Sequence, residues 1–135
     1  MESCDWAQMH TLDMQESADY LAPDGSEVRL LCQGRRGGLA HFSLAPGRVS
    51  VAIAHQSVEE LWFVLSGQGE MWRCDSAGHE DVVVLRRGTS LALYAGTEFQ
   101  FRARGTEPLE VLAATMPPWP GASEARLVEP HWSVG

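Results

Sequence analysis

The chain has 135 residues, 44% hydrophobic and 21% charged, with a formal net charge of −8. That length suits a single globular domain, which buries roughly two-thirds of the surface its unfolded chain exposes. The acidic charge repels phosphate backbones and excludes nucleic-acid binding as a main role. The longest apolar runs, such as Leu61–Leu65 and Val82–Leu85, are too short to span a membrane.

The first ten residues, MESCDWAQMH, open with acids and lack the basic-then-apolar order of a secretory leader, so a cytoplasmic location is expected. Residues 1–22 show no firm periodicity and read as an arm that packs on the body of the domain. Ala22-Pro23-Asp24-Gly25-Ser26 is a turn signal, with proline presetting φ and glycine free to take positive φ. Glycine and proline then punctuate the chain at short intervals. Between them lie runs suited to strands at Glu27–Gln33, Leu39–Ala45, Val49–His55, Glu60–Leu65 and Gly69–Cys74. Further runs follow at Asp81–Arg86, Ser90–Leu93, Glu98–Ala103 and Leu109–Thr115. Short strands at regular spacing predict a β-sandwich or barrel, and no long 3.6-residue apolar period suggests helices. Met116-Pro117-Pro118-Trp119-Pro120-Gly121 cannot continue a ladder because its prolines lack amide donors. This stretch suits a cap on one mouth of a barrel or an interface segment, and Arg126–Trp132 a closing strand or short arm. One domain is expected: arm 1–22, barrel 23–115, and a C-terminal arm or lid over 116–135.

Cys4, Cys32 and Cys74 are odd in number and form no CxxC pair, which argues against a disulfide framework or a thiolate zinc site. Three reduced, mostly buried thiols are expected. All ten basic residues are arginine, which removes lysine Schiff-base and general-base chemistry.

The densest chemistry lies between Gly47 and Glu70. Gly47, His55, Glu60 and Gly67 fall on the spacing of the first motif of the cupin superfamily, and Glu60-Leu-Trp-Phe-Val-Leu-Ser-Gly67-Gln-Gly69 resembles its common ending. Gly88 and Gly96 match the second motif. The resemblance covers roughly residues 38–115 and implies an all-β double-stranded β-helix, a jelly-roll-like barrel. Gly69–Arg73, Phe99–Arg102 and the proline-rich tail resemble segments of one group of small bacterial cupins. In metal-binding cupins, two histidines and a glutamate of the first motif and a histidine of the second hold one metal. Here the first and last of those positions are Ile53 and Phe99, leaving His55 and Glu60. The proline of the second motif is Tyr94, and its final asparagine is Ala103.

Isoleucine and phenylalanine donate nothing to a metal, and a transition-metal site normally needs three or more protein ligands. No cofactor is therefore expected. A divalent transition metal on His55 and Glu60 remains the alternative, with His41 the candidate replacement ligand if it faces inward with Ser43. Without metal, a histidine and a carboxylate stand in an apolar cup that Ile53, Trp62, Val64, Phe99 and Phe101 line or floor if strand parity holds. Such a pair can tune each other's pKa for acid–base work. His55 is the expected general acid or base, Glu60 orients it or shares its proton, and Tyr94 or His41 supplies a hydrogen bond to substrate. The expected function is a small-molecule-binding cupin acting as a non-redox isomerase, dehydratase or cyclase, and the expected partner is a second copy of the chain. Two alternatives stay open: a non-catalytic binding or accessory cupin with a decayed metal site, and a dioxygenase whose coordination is completed by His41, Gln56 or further groups.

Overall fold

The structure, a computed structural model, describes residues 9–134. Its strands are β1 (Tyr20–Leu21), β2 (Glu27–Gln33), β3 (Gly38–Leu44), β4 (Ile53–His55), β5 (Glu59–Ser66) and β6 (Gln68–Cys74). They continue with β7 (Glu80–Arg86), β8 (Ser90–Leu93), β9 (Glu98–Arg104), β10 (Leu109–Met116) and β11 (Ala125–Leu127). One 3-10 turn, Ala122–Glu124, precedes β11. The strands form two antiparallel sheets, ordered β1-β2-β3-β10-β5-β8 and β11-β4-β9-β6-β7.

Side-chain alternation builds the core. In β5, Glu60, Trp62 and Val64 are buried while Leu61, Phe63 and Leu65 are exposed; in β10, Leu109, Val111, Ala113 and Thr115 are buried. The period of two sends these sets to the interior, where they meet Phe99, Phe101 and Met71 of the other sheet. Trp62 stands edge-on to Phe101 with ring centroids 5.0 Å apart, an arrangement that suits the positive ring edge and negative face.

Gly67 and Gly69 are required by space. Gly67 has φ +84 in the turn between β5 and β6, and a Cβ there would stand 2.3 Å from the Pro108 carbonyl oxygen. A Cβ on Gly69 would stand 2.3 Å from the Arg102 carbonyl oxygen, because β6 lies tight against β9.

The expected strand over Val49–His55 is shorter in the structure. Only Ile53–His55 joins a ladder, and Val49 makes an isolated bridge to Arg102. The intervening backbone is diverted: the Val51 amide donates to the Asp24 carbonyl, and the Ser50 hydroxyl accepts from the Phe101 amide. Cys32 and Cys74 are unpaired but only partly buried, correcting the expectation of mostly buried thiols; Cys4 lies outside the described residues. The first eight residues of the expected N-terminal arm also lie outside them. Residues 9–19 have no regular structure, and the Arg29 guanidinium donates to the Gln15 and Glu16 carbonyls.

Gln100 anchors the C-terminal tail. Fully buried, it donates to the Ser50 and Trp132 carbonyls and accepts from the His131 and Trp132 amides. The tail then lays the His131 ring flat on Trp72 and the Trp132 ring under the Arg102 guanidinium. Truncating Gln100 removes four hydrogen bonds at once, one buried and three part-buried, and an unpaired group left buried carries a desolvation penalty of about 1–3 kcal/mol. Gln100→Ala is predicted to lower the unfolding free energy by at least about 2 kcal/mol in urea denaturation; a loss below about 0.5 kcal/mol, the size of an ordinary surface change, contradicts the anchor.

Candidate functional site

The chain closes one part of the space between the sheets around a cavity of about 20 Å³, room for about one water molecule. Glu60 reaches it from β5 and His55 from the end of β4; they are 3% and 4% exposed. The Trp62 indole N–H donates to Glu60 Oε1 at 2.7 Å. Burial pushes the Glu60 carboxyl up to about 8; the Trp62 bond opposes the rise and the charge of Asp24 adds to it. Burial lowers the His55 imidazole to about 4, against the opposing pull of the Glu124 carboxylate. At neutral pH the pair is thus a carboxylic acid and an uncharged imidazole. His55 Nδ1 and Glu60 Oε2 are 3.8 Å apart, beyond hydrogen-bond reach. A proton passes between them only through an intervening atom.

The His55 ring is held by aromatic neighbours, with Phe99 edge-on at 5.3 Å and Trp119 at 5.1 Å between centroids. Trp119 and Tyr20 also line the cavity, and Thr115, opposite Glu60 in the β10–β5 ladder, adds a hydroxyl.

Of the expected pocket residues, Ile53 and Phe99 line the cavity, whereas Trp62 and Phe101 pack in the core beside it. His41 does not reach it. Parity in β3 turns Ala40 and Phe42 toward the cavity and His41 to the opposite face, where its Nε2 meets Glu110 Oε1 at 2.8 Å. Tyr94 also stands away. It follows β8 in a turn closed by the Thr97 amide donating to its carbonyl, is 65% exposed, and lines a surface groove with Arg73 and Asp81. Gln56 is exposed and donates to the Ser123 carbonyl.

Two acids near the site were not legible in the sequence. Asp24 is buried at the cavity edge, its Oδ1 accepting from the Ser26 amide and hydroxyl; burial raises its pKa and those bonds oppose the rise. It reads as an ordinary turn residue, and nothing local announces that the turn faces inward. Glu124, beside His55, accepts from the Ser57 hydroxyl and from the Ser57 and Val58 amides. Burial alone would raise its pKa, but the Ser57 and Val58 bonds, with His55, bring it below the usual carboxylate value.

The architecture is a double-stranded β-helix. The profile of the cupin domain matches residues 40–115, and the chain belongs to the cupin family. Solved structures share the fold at low identity. An uncharacterized conserved protein with a double-stranded β-helix domain from Klebsiella pneumoniae has 16% identity over 91% of this chain and 100% of that one, with TM-score 0.67. The capsular polysaccharide assembling protein CapF from Staphylococcus aureus has 12% identity over 88% of this chain and 32% of that one, with TM-score 0.71. Oxalate decarboxylase from Bacillus subtilis, described with Mn(II) centres, has 16% identity over 84% of this chain and 30% of that one, with TM-score 0.69. The chain spans about a third of the length of the CapF and oxalate decarboxylase chains. No curated protein matches it in sequence.

Manganese in a structural neighbour raises the question of a metal here, and the donor set does not fit one. Two of the four ligand positions implied by the family motif are the buried hydrocarbons Ile53 and Phe99. One oxygen of Glu60 is engaged by the Trp62 indole N–H. No group of three or more His, Cys, Asp or Glu side chains with metal-binding geometry occurs among the described residues.

Opposite pKa shifts give opposite stability slopes. His55 is depressed in the fold, so the stability it contributes is present above 6.5 and is lost as pH falls toward 4. Glu60 is raised, so its contribution is present below 4.5 and is lost as pH climbs to about 8. Between about 4.5 and 6.5 the slopes oppose each other; above 6.5 that of Glu60 stands alone. The wild type is predicted to lose about 2 kcal/mol relative to Glu60→Gln between pH 6.5 and 8 in urea unfolding. Parallel stability curves for the two proteins would contradict the shift.

Proposed function

We propose that the protein is a metal-independent cupin that moves protons on a small organic substrate, with His55 as base and Glu60 as acid. The observation that carries this reading is geometric: a buried imidazole and a buried carboxyl face one cavity 3.8 Å apart, where burial favours the uncharged form of each. A carbonyl compound bridging the 3.8 Å gap would give a proton from its α-carbon to His55 while its oxygen takes the proton of Glu60. The enol, the imidazolium and a carboxylate held by the Trp62 N–H result. In a β,γ-unsaturated substrate, return of the imidazolium proton to the γ-carbon, with the enol proton going back to Glu60, gives the conjugated isomer and restores the enzyme. In a β-hydroxy substrate the imidazolium proton goes instead to the β-hydroxyl, which leaves as water as the enol proton returns to Glu60.

The filled interior favours a second reading, a non-catalytic cupin that binds a ligand or partner without turnover, because a cavity of about 20 Å³ holds no organic substrate as it stands. The reading also includes a second copy of the chain as partner, supported by the exposed apolar face that Leu39, Leu61, Phe63 and Leu65 present on one sheet.

Incubation with a panel of small ketones, aldehydes and hydroxy acids in D₂O, followed by ¹H NMR, separates turnover from binding. The wild type is predicted to speed exchange of α-protons, with His55→Ala and Glu60→Gln each losing about 10²-fold or more. Exchange that survives His55→Ala unchanged, or no exchange across the panel, contradicts the acid–base reading.

A further inference from the structure

The inner cavity has a neighbour. A groove of about 330 Å³ lies outside it, lined by Leu21, Gln33 and the stretch Trp119–Ala122 among others. Tyr20, Pro23, Leu30 and Trp119 line both spaces, so their side chains form the partition. Two of these four are lightly held. Tyr20 belongs to a two-residue strand at the edge of its sheet and is 36% exposed. Trp119 is half-buried in the irregular, proline-flanked stretch between β10 and the 3-10 turn. Turning either ring needs no broken ladder, and such rotations at a surface are fast. The outer groove alone falls in the range of small-molecule sites, roughly 300–1,000 Å³, and opening the partition joins the inner cavity and its polar side chains to it.

The lining selects the occupant. No arginine lines either space and the chain has no lysine, so no side-chain cation meets an anion there. Most lining side chains are hydrocarbon or aromatic, which offers little to a charged group of either sign. Polar groups converge at the inner end, where Glu60, His55 and Thr115 stand with Asp24 at the edge, while Gln33 is the polar side chain on the outer groove.

We propose that Tyr20 and Trp119 form a side-chain gate, and that the recess behind it takes an uncharged, largely apolar molecule whose polar end points at the Glu60, His55 and Thr115 side chains. The ligand's orientation rests on the acid–base reading above; the gate does not. While the gate is mostly shut, apparent affinity is reduced by the open fraction, and removing a ring removes that penalty.

The test is titration of the wild type, Trp119→Ala and Tyr20→Ala with acetophenone, followed by ¹H–¹⁵N NMR, with benzoate as the anionic counterpart of similar size. Each variant is expected to bind acetophenone about tenfold or more tighter than the wild type, with shifts centred on His55, Phe99 and Thr115. Benzoate is expected to bind about tenfold or more weaker than acetophenone in the same variants. If Trp119→Ala does not fold, Tyr20→Ala decides. Equal acetophenone affinity in variant and wild type, or shifts elsewhere on the surface, overturns the gate; benzoate binding as well as acetophenone overturns the ligand class. Tighter acetophenone binding in variants of a protein that exchanges no α-protons would leave the gate standing and remove the acid–base reading. Exchange without a gate effect would do the reverse.

Discussion

An ionisable carboxyl enclosed among hydrocarbon side chains organises this part of the barrel. Glu60 shares its cavity with Phe42, Ile53 and Phe99, and among the described residues the hydrogen bond its carboxyl accepts comes from the indole N–H of Trp62. Removing a carboxylate from water costs more than a single neutral donor returns, so the proton stays on. His55 meets the same environment with the opposite outcome, because its charged form is the protonated one. The same burial thus acts in opposite directions on the two groups, favouring the uncharged form of each, as the proposed acid–base reading requires.

Ile53 and Phe99 contribute to that apolar enclosure. A histidine at 53 or 99 would bring a polar ring to the cavity edge; the hydrocarbons found there pack instead, Phe99 edge-on to both His55 and Trp62. Closure completes the enclosure, since Trp119 covers the His55 ring and leaves about 20 Å³ of space.

Much of the barrel was legible in the sequence because alternation and turn chemistry are local. Glu60, Trp62 and Val64 face inward as the period of two requires, and Gly67 and Gly69 stand where a Cβ would strike backbone. The placement of His55 and Glu60 followed from motif spacing. What failed depended on pairing across the sheet or on long-range contact. The inward face of β3 belongs to Ala40 and Phe42, which no count along that strand alone could choose over His41 and Ser43. Tyr94 occupies a motif position but leaves the barrel with its turn. Asp24 enters the site only because its loop carbonyl captures the Val51 amide and draws the turn inward, a contact across 27 positions of chain. Val49–His55 carries strand-forming residues yet yields three residues of ladder for the same reason.

The most direct measurement is a ¹³C NMR titration of the Glu60 carboxyl carbon, assigned by its absence in Glu60→Gln. A midpoint near 8 is the predicted result. A midpoint near the ordinary value of 4.5 would mean an ionised carboxylate at neutral pH, and would contradict the acid proposed for this site.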